Sequence, residues 1–298
     1  MSWNEKVDAA AQDREHGSLH IANKAACAFA SAEEAGEQEL FSALMRLVRG
    51  QRSMAPVLNL VARVEEALST GGPAALRSEA QTFHEEVEVA LLQFERHLTA
   101  SPPEPAVHWG FFSASSTVYK GIRALQEAGL ACSKATVGYS EPGGEGQTTF
   151  EQICTKKEIL YDAVFYEIVS KGWLDHLILG CDALDGRIFI NKIGSGPLAQ
   201  LAHAAGTQVE IWSTTHKMVS PETMPLFNVY NDAYDDVFEY TGWLNFGTGE
   251  MEQVDTVRCE HGAWSRDQVL EYCAKLPVPS DRLKAAILEM DQPGETES

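Results

Sequence analysis

The sequence predicts an α/β protein in which a helical N-terminal domain precedes a domain built on a mainly parallel sheet. Three observations carry that reading. Apolar residues recur at helical spacing up to about residue 100, the rigid run "SPPEPA" follows from Ser101 to Ala106, and beyond it short apolar runs alternate with amphipathic ones.

Within the first part, Leu40, Leu44, Leu47 and Val48 share one helical face, and Val57, Leu60, Val61, Val64 and Leu68 share a second. A third face carries Leu76, Phe83, Val87, Leu91, Phe94 and Leu98, set apart by Gly71-Gly72-Pro73, where glycine frees the backbone and proline can open a helix but not continue one. Beyond the connector, strands are expected at Val107–Phe112, Ala135–Tyr139, Leu177–Cys181 and Val209–Ser213. Helices are expected at Ser116–Ala128, from Glu151–Thr155 toward Leu160-Tyr161, at Ala163–Lys171 and at Pro197–Ala205, with a turn at Asp185-Gly186 and an apolar run at Ile188–Ile190. Such alternation calls for βαβ crossovers and a sheet covered on both faces, a Rossmann-like architecture. The expected domains are 1–100 (helical) and 107–288 (Rossmann-like), followed by a polar, disordered tail, 289–298.

Composition removes several function classes. A 44% hydrophobic content suits a folded core, and no run of about 18 apolar residues suggests a membrane span, so a cytoplasmic protein with no membrane partner is expected. The six cysteines form no Cys-x-x-Cys and no zinc spacing with the nine histidines, so free thiols, most of them packing residues, and no metal are expected. A formal charge of -20 argues against direct nucleic-acid binding. No Gly-x-Gly-x-x-Gly follows the first strand and no Walker loop occurs, so neither a dinucleotide nor another cofactor is expected.

Candidate functional residues gather where strands end. Asp182 follows "LILG", Asp162 follows Leu160-Tyr161, and Ser113, Ser115 and Ser116 follow the first strand in "FFSASSTVYKG". Asn191 and Lys192 close the run Ile188–Ile190 just before Gly194 and Gly196 open a helix, and Lys192 is expected to be exposed at a strand end. Amide donors at a helix start, hydroxyls and one lysine suit an anionic oxygen such as a phosphate. The same residues also suit plain structure: serine and aspartate cap helices, and glycine-rich turns are common. Both readings stand at this point.

The segment "LYDAVFYEIVSKGWLDHLILGCDALDGRIFINKIGSGPLAQLAHAAG" resembles the alpha, beta and delta subunits of translation initiation factor 2B and their relatives, the methylthioribose-1-phosphate and ribose-1,5-bisphosphate isomerases. "FSASSTVYKGIRALQEAG" is similar to that family's serine-rich strand-to-helix turn, and "DREHGSLHIANKAACAF" and "RGQRSMAPVLNLV" are similar to its N-terminal helical motifs. The resemblance spans most of residues 13–245. It implies a helical domain on a Rossmann-like domain, a two-fold dimer, and a sugar phosphate held at the sheet edge, with a cysteine and an aspartate moving a proton or hydride between C1 and C2 in the isomerases. By the same resemblance, Asp182 matches the aspartate and Asn191-Lys192 match a ligand-contacting pair, while Ser113 stands at the cysteine position. Arg52, Ser115, Ser116, Glu141 and Asp162 complete the implied ligand set, and Pro142 falls close to where the family has an arginine.

A thiol near pKa 8.5 deprotonates under modest perturbation, whereas a hydroxyl needs a strong base beside it. The serine therefore favours a non-catalytic member that binds a small phosphorylated ligand, a sugar phosphate or a nucleotide. The intact Asp182, Asn191 and Lys192 favour an aldose–ketose isomerase acting on a sugar 1-phosphate, and a structural dimer with a vestigial pocket is a third reading. The apolar and aromatic residues between Trp212 and Tyr240 suggest a homodimer through the C-terminal domain.

Overall fold

In the computed structural model of the chain, the described residues are 1–14, 16–104, 107–227 and 246–289. Helix α1 (Trp3–Gln12) begins with a reciprocal cap, in which the Ser2 hydroxyl accepts from the Glu5 amide at 3.3 Å and the Glu5 carboxylate accepts from the Ser2 amide at 2.7 Å. Helices α2 (Ser18–Ala30), α3 (Glu37–Gly50) and α4 (Ala55–Ala100) follow. Gly72, at φ 71° and ψ −166°, breaks α4 into two halves directly before Pro73, as the glycine-proline run requires. The apolar faces read from the sequence meet in one core, with Leu40, Leu44, Val57, Leu60, Phe83 and Val87 all buried.

Two sheets follow. The larger, seven-stranded among the described residues, has the order β10-β9-β7-β4-β1-β2-β3. Its strands are β1 (His108–Phe112), β2 (Lys134–Gly138), β3 (Lys156–Leu160), β4 (His176–Leu179), β7 (Gln208–Trp212), β9 (Thr256–Cys259) and β10 (Gly262–Trp264). Every pairing is parallel except β9 with β10. Helices α5 (Ser116–Glu127), α6 (Gly146–Gln152), α7 (Asp162–Ser170) and α8 (Ser195–Ala204) make the crossovers. The smaller, antiparallel sheet joins β5 (Ala183–Leu184), β6 (Ile188–Lys192) and β8 (Phe246–Glu250). Helices α9 (Arg266–Cys273) and α10 (Asp281–Glu289) close the described chain. No helix among the described residues is long and apolar enough to cross a membrane.

The chain runs outward from β1 through β2 to β3, then crosses back to place β4 on the other side of β1. This reversal opens a crevice at the carboxyl ends of β1 and β4, the place where open α/β sheets hold ligands. One large face packs Phe165, Leu198 and Phe189 against Leu177 and Leu179, and the other packs Trp109 and Trp212 against Phe94 and Ile122. Helix α10 returns to the N-terminal helices: Ser280, just before it, donates to the Glu65 carboxylate on α4 at 2.7 Å, and the Arg282 guanidinium lies 3.7 Å from the ring centroid of Phe41 on α3.

One expected element needs correction. Residues 156–160, expected as the continuation of a helix, form the edge strand β3, and the helix before them is α6. An edge strand packs on fewer neighbours, so "KKEIL" lacks the continuous apolar run of the central "HLIL". Asn191 and Lys192 end β6, as expected, and pair with Gly247 and Phe246. The expected tail beyond Glu289, and the part of the expected dimer surface from 228 to 240, lie outside the described residues.

Candidate functional site

The backbone beyond β1 and beyond its neighbour β2 is unusual. Ser113, the residue after β1, has φ 68°, and Ser140, near the end of β2, has φ 69°. Left-handed backbone is rare for serine and gathers at functional edges. The two residues hold each other, since the Ser113 amide donates to the Ser140 hydroxyl at 2.7 Å. Asp162 fixes the same loop, its two carboxylate oxygens accepting from the amides of Ser140 at 2.6 Å and Glu141 at 2.7 Å. It is the first residue of α7, and its side chain does not cap that helix.

The serine turn joins this loop to the N-terminal helices. Ser115 caps α5 by accepting from the Val118 amide at 3.5 Å, and it packs so closely on Gly180 that a β-carbon there would lie 2.5 Å from that of Ser115. Gly17, which precedes α2, stands against the Ser116 hydroxyl; a β-carbon added to it would lie 3.6 Å away. The start of α2 therefore faces the start of α5.

Asp182 sits where these elements converge. Its amide donates to Ile190 at 2.8 Å, and its carbonyl accepts from the Ala55 amide at the start of α4 at 2.9 Å. Burial pushes its carboxyl above the ordinary range, while the Lys217 ammonium and the Ser18 hydroxyl pull the other way. Lys217, itself buried, donates to the Cys181 carbonyl at 2.7 Å. Burial also lifts the Cys181 thiol to about 11, and its sulfur donates to the Ser213 hydroxyl at 3.2 Å. Arg52 is carried on the loop before α4, which Gln51 anchors by donating to the carbonyls of Ala10, Ala11 and Asp13 at 2.9, 3.1 and 2.7 Å. The starts of α2 and α4 thus meet at Asp182, the first through the Ser18 hydroxyl at its carboxyl and the second through the Ala55 amide at its carbonyl, while the start of α5 stands against that of α2.

Lys192 is the clearest departure from expectation. It is only 4% exposed, not a solvated lysine, and its ammonium donates to Glu145 at 2.7 Å and to the Pro142 carbonyl. The loop beyond β2 thereby closes on β6, and a carboxylate occupies the position an anionic ligand would take. Asn191 donates to the Ser195 hydroxyl at 2.9 Å at the start of α8, whose cap, Gly194, has φ 98°. One Glu145 oxygen is buried with no hydrogen-bond partner among the described residues. Such an orphaned group fits a polar ligand.

Ser115 packs on Gly180, two residues before Asp182, Ser116 faces the start of α2, and the loop that carries Ser140 and Glu141 links Ser113 and Asp162 to Lys192. Sequence reasoning missed Ser18, Glu145, Cys181 and Lys217. Lys217 was findable, because it lies just beyond β7, where the strand-end rule applies as it does at Ser113 and Asp182. Ser18 and Glu145 carry no such signal.

Comparison with solved structures places this architecture. Translation initiation factor eIF-2B from Pyrococcus horikoshii OT3 matches with a TM-score of 0.72 and 22% identity over 89% of this chain and 98% of its own. The fold is that of the eIF-2B subunits. The 5-methylthioribose 1-phosphate isomerase of the same organism matches with a TM-score of 0.66 and 14% identity over 91% of this chain and 87% of its own. The tetrameric eIF2B-beta2-delta2 complex from C. thermophilum has a subunit that matches with a TM-score of 0.65 and 16% identity over 91% of this chain and 93% of its own. No protein-family model matches the chain, and no curated protein sequence matches it. The eIF-2B-like fold thus comes in solved structures with both an initiation factor and an isomerase, and the side chains at the crevice bear on which chemistry this chain supports.

Proposed function

We propose that the chain belongs to the eIF-2B-like family and binds a small phosphorylated ligand, a sugar phosphate or nucleotide, at the Asp182 crevice without turning it over. The observation that carries binding is the meeting of two helix starts, those of α2 and α4, at Asp182 beside Lys217 and the buried Ser18 hydroxyl, with Arg52 on the loop that leads into α4, since amides and cations at helix N-termini receive phosphates. Lys192 joins them once a ligand displaces Glu145. The absence of turnover is supported by the hydroxyl at Ser113 and by Cys181, which burial keeps protonated at neutral pH.

One observation favours the isomerase reading. A carboxyl raised by burial holds its proton to higher pH and is suited to general acid–base work, and Asp182 is such a group. A thermal-shift screen with ribose 1,5-bisphosphate, methylthioribose 1-phosphate and nucleotides, followed by an isomerase assay on each hit, separates the two. Stabilisation of about 2.7 kcal/mol at a hundredfold over Kd, with no product, is the expected result. Turnover that disappears in Asp182→Asn establishes the isomerase instead, and a screen without hits removes both. Ser113→Cys supplies the thiol and is the variant in which turnover would first emerge.

We also propose a homodimer. Its supports are the resemblance in sequence and the assembled state of the structural neighbour from C. thermophilum. Light scattering at micromolar concentration is expected to give twice the chain mass; a monomer would contradict it.

A further inference from the structure

A cavity of about 650 Å³ opens on the other side of the Thr215–Lys217 turn from Asp182, between the two halves of α4, the β9–β10 hairpin and the segment after α9. Lys217 points toward Cys181, whereas its neighbours Thr215 and His216 line this second space. Its size lies within the range of small-molecule sites, about 300–1,000 Å³.

The walls are largely apolar, with Phe83, Ala90, Met218, Leu276 and Pro277 among them. The charged lining is unequal: three carboxylates, Glu85, Glu86 and Glu260, face a single guanidinium, Arg63. That guanidinium is already neutralised, for it donates to Glu79 at 2.5 Å and Glu86 at 2.6 Å and lies 5.3 Å from the Phe83 ring centroid. Glu260 is held in place by the Thr215 amide at 3.0 Å, and Glu85 accepts from Gln81 at 2.7 Å. His216 packs its ring against the edge of Phe83 at 5.3 Å, and its Nδ1 is buried without a hydrogen-bond partner among the described residues.

An anion is repelled by this lining, and an uncharged molecule leaves its excess of negative charge unbalanced. We infer that the cavity binds a small organic cation, a primary amine carried on an aromatic or branched aliphatic body. The ammonium meets Glu85 or Glu260, or shares Glu86 with Arg63, while the body fills the space beside Ala90 and Leu276. The inference is independent of the phosphate site at Asp182.

Titration calorimetry on the full chain tests it with phenethylamine, phenethyl alcohol and phenylacetate. Phenethylamine is expected to bind saturably at one per chain, the alcohol at least tenfold more weakly, and the acid not at all. The double variant Glu85→Gln/Glu86→Gln, on an exposed helix face, is expected to weaken the amine about tenfold, and Ala90→Phe to abolish binding by filling the space. No saturable binding of the amine, equal binding of amine and alcohol, or unchanged affinity in the double variant overturns the inference, whether or not Ala90→Phe folds.

Discussion

Replacing Glu210 with glutamine is expected to lower the unfolding free energy at pH 7 by about 3–5 kcal/mol, the cost of leaving one member of a buried ion pair without the other. Glu210 and Arg258 pair at 2.7 Å with side chains 4% and 11% exposed, and the Trp212 indole donates to the same carboxylate at 2.9 Å. Burial alone would raise the Glu210 carboxyl, but His176 beside it at 3.6 Å, hydrogen bonds from Arg258 and Trp212, and the charge of Arg258 hold it at about 2 against an ordinary 4.5. A depressed carboxyl contributes its stability above the unfolded value and loses it as pH falls toward the folded one. The gap between variant and wild type should therefore be full at pH 7 and shrink between about 4.5 and 2. Urea unfolding followed by tryptophan fluorescence at pH 7 and pH 3 reads this directly. An equal gap at both would show that the loss comes from packing and not from charge. Because Arg258 also donates to the Ser101 carbonyl at 2.7 Å, the same variant loosens the junction between α4 and the sheet.

The second large effect falls on the candidate ligand site. Lys192→Met keeps most of the buried volume while removing the ammonium, and it should weaken a phosphorylated ligand by one to two powers of ten, the worth of a charge-assisted hydrogen bond of about 1.5–3 kcal/mol. Added salt should narrow the difference from wild type. Glu145→Gln should act in the opposite direction, because the carboxylate that holds Lys192 at 2.7 Å competes with the phosphate for it. Calorimetry with whichever sugar phosphate scores in the thermal screen, on wild type and both variants, is the measurement. If both variants bind alike, the pair is a structural clasp that closes the loop after β2, and Lys192 takes no part in binding.

Much of the fold is written in local pattern. The helical faces of Leu40–Val48 and Val57–Leu68, the break at Gly72, and the central strands "HWGFF" and "HLIL" follow from apolar period and backbone chemistry acting over a few residues. Strand β3 was hidden because an edge strand with half-exposed residues has no such pattern. At the site, Asp182 and Ser113 were legible because strand ends in a parallel sheet are predictable in kind. The role of Asp162 was not, since its partners are backbone amides 21 and 22 residues away.

The sequence by itself determined the class of the fold, its helical first part, its central strands, and the placing of Ser113 and Asp182 just past strand ends, because each of these depends on short-range period and turn chemistry. Only the tertiary structure decided that Lys192 is buried against Glu145, that Lys217 and Ser18 reach Asp182, and that the starts of α2 and α4 meet there. These depend on contacts between distant segments, and on the burial that shifts Asp182 upward and Glu210 downward. Burial is a property of what packs around a residue, which no stretch of sequence around Asp182 or Glu210 contains.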